Sequence, residues 1–149
     1  MKISARVDNR QGSHEVRLQT NDKAHSLSIA PKESGLGSGT NGGELLMLAL
    51  ATCYCNDIYR EAAKRGIHVE RVEVEVDAEF GGEGEPARGV TYRAKVAARA
   101  PQEEIQLLMR ETDRVAEIQN TLRAATEVTL SEIEAEVIER PDPGEQIDA

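Results

Sequence analysis

Three periodicities divide the chain. In the first thirty residues Ile3, Ala5 and Val7, then Val16 and Leu18, then Leu27 and Ile29 alternate with polar neighbours, and the turns Asn9-Arg10-Gln11-Gly12 and Asn21-Asp22-Lys23 separate them. Period-two alternation between turn residues predicts a meander of short strands. From Leu45 to Tyr54 nearly every position is apolar, which predicts a helix covered around its whole girth. Asn41 with Glu44 three places on is a capping-box pattern for its start, and Gly66 is the expected stop. The later turns, with Asp57, Arg60, Glu61, Lys64 and Arg65, are expected in water.

Alternation then returns. Val72, Val74, Val76, Ala78 and Phe80 form one strand face, backed by Arg71, Glu73, Glu75, Asp77 and Glu79. Beyond a glycine-rich turn, Val90, Tyr92, Ala94, Val96 and Ala98 alternate with Arg93, Lys95 and Arg99. An acidic face beside a basic one predicts a hairpin, because opposite charges attract across strands. Pro101 opens a second helix with Ile105, Leu108, Met109, Thr112, Val115 and Ala116 on one side, and a short helical piece is expected around Thr121 to Ala125. A final strand is predicted from Glu132 to Glu139, alternating Ile133, Ala135 and Val137 with glutamates, before Pro141 begins a loose tail. The order is that of an α+β domain over residues 1–140 with a flexible tail over 141–149.

Composition narrows the function classes. With 27 acidic residues against 18 basic ones the net charge is −9, whereas a nucleic-acid surface needs a basic face to displace counterions. One Phe, three Tyr and no Trp leave little with which to stack bases. The run from Leu45 to Cys55 is about half a membrane span and the first residues lack a signal-peptide core, so a cytoplasmic protein without membrane or nucleic-acid partners is expected. Cys53 and Cys55, with His14, His25 and His68 scattered, match neither a disulfide framework nor zinc spacing, and no metal is implied.

Gly37-x-Gly39-x-x-Gly42 has the glycine spacing of a dinucleotide turn. That fingerprint also needs a buried parallel strand directly before it and an acidic residue about twenty positions on, at the end of the next strand. Here the preceding strand ends early at Pro31, and the twentieth position is still inside the long helix. The loop is read as a helix launch, with no cofactor.

The residues around that launch carry a resemblance. Ser38-Gly39-Thr40-Asn41, Glu44-Leu45-Leu46, Ala49-x-Ala51-x-Cys53-Tyr54 and Ala62-x-x-Arg65-Gly66-Ile67 resemble the central helix of the OsmC family, which includes the organic hydroperoxide resistance proteins. Arg10-Gln11-Gly12-Ser13 and Asn120-Thr121-Leu122-Arg123 are similar to outer segments of that family. The resemblance implies an intertwined homodimer with antiparallel sheets around long central helices and thiols at its interface. It also implies reduction of organic hydroperoxides, with Cys53 as the peroxidatic thiol, Arg10 as its activating cation and an external thiol reductant. Two positions depart from the pattern: the family's second cysteine falls on Ala116 and its glutamate on Gly43, with Glu44 matching a second acidic position. The alternative is a non-catalytic dimer binding a small apolar molecule at its interface.

Each candidate has a plainer reading. Cys53 can be a buried filler, since free cysteine packs as a small apolar residue. An ordinary thiol titrates at about 8.5, and three turns into the helix Cys53 is beyond the help of the N-terminal dipole. Cys55 points about 200° away from Cys53 around the helix and is expected to pack. Arg10 can be an exposed turn residue with Arg6 and Arg17 as rival cations, and Glu44 can serve only the helix cap. His14 lies near Arg10 in the chain, and His68 is expected at the surface.

Overall fold

The computed structural model describes residues 1–138. β1 (Ile3–Arg10), β2 (Ser13–Thr20) and β3 (Lys23–Ser26) form an antiparallel three-stranded sheet. The meander follows the predicted turns, with Gly12 at φ +75° supplying the backbone that closes the first. β3 ends before Leu27, so Leu27 and Ile29 are not its residues.

α1 (Gly42–Lys64) spans 23 residues and starts as predicted. The Asn41 side chain accepts from the Glu44 backbone N–H at 2.9 Å, and the Glu44 carboxylate accepts from the Asn41 N–H at 2.8 Å. Such a cap contributes about 1 kcal/mol. At the other end Gly66 (φ +68°) turns the chain: its N–H donates to Ala63 O at 3.2 Å, while Ile67 N–H reaches Ala62 O at 3.0 Å. These two bonds satisfy carbonyls the helix would otherwise leave open.

β4 (His68–Phe80) and β5 (Ala87–Arg99) pair as the predicted antiparallel hairpin. Arg93 lies 2.5 Å from Glu75 and 3.3 Å from Asp77 across the strands, all of them exposed, so these pairs set register more than stability. Phe80 leaves the apolar face expected for it: the register shifts between Asp77 and Glu79, and the ring ends up exposed against the start of α1.

α2 (Gln102–Val115) and α3 (Glu117–Arg123) complete the described elements. α3 begins earlier than the piece expected at Thr121 to Ala125. The core gathers Tyr54, Ile58 and Ala62 of α1 with Leu108 of α2, and Val69, Val72, Val74, Tyr92 and Val96 of the hairpin pack against it. Ile58 and Leu108 are fully buried, each contributing roughly 1.5–3 kcal/mol relative to an exposed side chain.

Two further expectations are corrected. The cover on α1 does not follow the apolar run: Leu48, inside that run, is 56% exposed, whereas Asp57, expected in water, is 4% exposed. The hairpin, α2 and α3 cover the second half of the helix, and Asp57 enters the interior through its ion pair with Arg60. No strand forms over 126–138, although Val128, Leu130, Ile133 and Val137 are 80% exposed or more. A strand needs a partner edge to satisfy its backbone, and nothing within the described chain pairs with this segment. Glu139 and the tail from Pro141 lie outside the described residues.

Candidate functional site

Cys53, Asp57 and Arg60 follow one another at four and three residues along α1. That spacing stacks them on one helix face. The break between α2 and α3 at Ala116 brings Glu117 to the same face. Gln119 holds α3 there by donating through Nε2 to Leu50 O at 3.0 Å. Its Oε1 is buried without a protein partner among the described residues.

The Cys53 thiol donates to Asp57 Oδ2 at 3.5 Å and has Glu117 Oε2 at 3.9 Å. Arg60 joins the two carboxylates, with Nη1 2.8 Å from Asp57 Oδ1 and 3.2 Å from Glu117 Oε1. Sγ and one oxygen from each carboxyl lie within 4.8 Å of one another, and the positive charge in this cluster is supplied by Arg60.

Burial pushes the Cys53 thiol above its ordinary range, and the neighbouring Asp57 and Glu117 push it further, against an opposing backbone N–H from Ile118. Burial likewise raises Asp57, with Arg60 pulling the other way and Glu117 adding to the rise. Glu117 is held low, first by its own backbone N–H and then by Asp57 and Arg60. The cluster therefore favours a protonated thiol.

The expected partners stand elsewhere. Arg10 is exposed at the end of β1, 3.2 Å from Asp8 Oδ1. Arg6 lies 3.7 Å from the other oxygen of Asp8, and Arg17 pairs with Arg6 across the strands. None of the three is among the groups that act on Cys53 within the chain; the nearby cation is Arg60. The Glu44 carboxylate is engaged in the helix cap. At Gly43, a side chain would come within 3.0 Å of the Phe80 ring. Cys55 faces away, beside Ala51, Thr52, Asn56 and Val74. His14 contacts the Asn9 side chain at 3.0 Å, and His68 is exposed at the start of β4. Asp57, Arg60 and Glu117 were missed in the sequence; the four-and-three spacing from Cys53 was the available signal for the first two.

A family model described as OsmC-like protein matches residues 35–131. The chain belongs to the OsmC-like family. Solved structures agree on the fold. An OsmC-like protein from Mycoplasma pneumoniae is 16% identical with a TM-score of 0.58, over 82% of this chain and 86% of that one. An organic hydroperoxide resistance protein OsmC from Legionella pneumophila is 23% identical with a TM-score of 0.54, over 83% and 90%. The organic hydroperoxide resistance protein OhrB of Bacillus subtilis is 14% identical with a TM-score of 0.52, over 83% and 91%. No curated protein sequence matches the chain. Among the described residues of this OsmC-like chain, no helix is long and apolar enough to cross a membrane.

Proposed function

We propose that this OsmC-like protein reduces organic hydroperoxides through Cys53, acting as a one-cysteine enzyme regenerated by an external thiol. The observation that carries the reading is the seat of Cys53 against the α2–α3 junction, 3.9 Å from Glu117, the residue after Ala116, to which the resemblance assigns the family's second cysteine. With alanine there, a sulfenic acid formed at Cys53 has no partner thiol at the family's position and waits for a reductant. A cleft of about 240 Å³ is lined by Leu50, one helical turn before Cys53, with Val90, Tyr92, Gln119, Leu122 and Arg123, and its apolar members suit the organic group of a small hydroperoxide.

The unit of function we propose is a homodimer. Leu48 of α1 stands 56% exposed, and the alternating residues of 126–138 lack a strand to pair with. A second copy would cover both. An Arg10 contribution to Cys53 would then come from the partner subunit.

The experiment is turnover of cumene hydroperoxide with a dithiol reductant. Consumption that disappears in Cys53→Ser supports the enzyme. Absence of turnover supports the second reading, a non-catalytic dimer binding a small apolar molecule, which the protonated thiol favours.

A further inference from the structure

The carboxyl of Asp57 has its two oxygens in different company. Oδ1 is held by Arg60 at 2.8 Å, while Oδ2 accepts from the Cys53 thiol at 3.5 Å. At 4% exposure water does not compete for this position. Glu117 of α3, exposed to solvent, faces the same thiol and also acts on the Asp57 carboxyl, adding to its rise. Val69, Val72 and Leu108 pack on α1 as apolar side chains, and the uncharged Gln119 is held at Leu50 O.

Reduction of an alkyl hydroperoxide asks two things of such a site. The sulfur must lose its proton as it attacks, and the departing alkoxide must gain one. A thiolate standing free beside two carboxylates is disfavoured, and the nearby cation, Arg60, is paired with those carboxylates rather than with the sulfur.

Resting on the hydroperoxide reading, we propose that Asp57 is a catalytic residue, a proton relay that takes the Cys53 proton on Oδ2 and returns it to the leaving alkoxide. The S–O bond forms as the O–O bond breaks. Sulfur gives up two electrons to the peroxide, the terminal oxygen keeps its hydrogen, and the thiol proton ends on the alkoxide. Cys–SH and ROOH become Cys–SOH and ROH without a proton from solvent. Burial makes Asp57 a stronger base than an exposed aspartate, and Arg60 steadies the carboxylate when it is charged. Arg60 is thus a positioning residue.

The test compares two reagents on Cys53 in single turnover. Iodoacetamide expels iodide, which needs no proton; cumene hydroperoxide expels an alkoxide, which does. In Asp57→Asn, alkylation at neutral pH should equal or exceed the unmodified protein's, because a negative charge beside the thiol is gone. Sulfenic acid formation, trapped with dimedone, should fall about 100-fold, the usual scale of general acid-base assistance. Equal rates of oxidation in the two proteins, or a parallel fall in both reactions, would overturn the relay and leave Asp57 as an ion-pair residue. The unmodified protein gives a second measurement that needs no variant. Its oxidation rate should be flat between the titrations of Asp57 and Cys53, whereas its alkylation rate climbs with pH; a parallel climb also overturns the relay. If the unmodified protein forms no sulfenic acid with the hydroperoxide, the peroxidase reading fails and the relay with it; if it does and only the relay signatures are missing, the peroxidase reading stands.

Discussion

Glu117 Oε2 lies 3.9 Å from the Sγ of Cys53, so the residue after Ala116 touches the thiol across 64 positions of chain. Ala116 itself is fully buried at the same junction. A cysteine placed there should link to Cys53. On oxidation, Ala116→Cys is expected to lose two hydrogens by intact mass, while one equivalent of hydroperoxide adds one oxygen to the unmodified protein. An Ala116→Cys protein that stays unlinked under oxidant would break the proposed equivalence of position 116 with the family's second cysteine.

The same proximity fixes a sign for Glu117→Gln. Glu117 adds to the rise of the Cys53 thiol, so removing its charge should move the midpoint of thiol alkylation to lower pH. The gain in rate at neutral pH is expected to be at most about fivefold, the size of a solvent-screened charge interaction, because Glu117 is 64% exposed at its side chain. Iodoacetamide kinetics across a pH series checks the direction.

A second ionic cluster ties the hairpin to α2 and α3. The Tyr92 hydroxyl donates to Asp113, and Arg123 Nη2 lies 2.7 Å from Asp113 Oδ1. Burial pulls Asp113 upward, but Tyr92 and Arg123 outweigh it and hold the carboxyl below its ordinary value of 3.8. A depressed carboxylate contributes stability above that value and loses it as pH falls through the folded-state titration. Asp113→Asn should therefore cost about 1 kcal/mol at neutral pH, after discounting solvent screening, and the difference should vanish in strong acid. Urea titrations at neutral and acid pH measure both.

Sedimentation at micromolar concentration should give the mass of two chains, given the exposed Leu48 and the unpaired alternation over 126–138. A folded single-chain species under those conditions would remove the dimer and any role for the partner's Arg10.

Local physics made much of this molecule legible in the chain. Asn41 and Glu44 cap α1 by reaching only three residues, Gly66 ends it by its own backbone freedom, and alternating Val and Glu or Arg mark the hairpin. The central motif around Cys53 also carried the family. The failures share one cause: they depend on groups far apart in sequence. The final strand requires a neighbouring edge, so its alternation over Glu132 to Val137 could not by itself decide pairing. Asp57 and Arg60 look like solvated helix residues until Glu117 arrives from 57 positions beyond Arg60. Whether Cys53 meets a cation or an acid is likewise a matter of which distant element packs on its face, and α3 brings an acid.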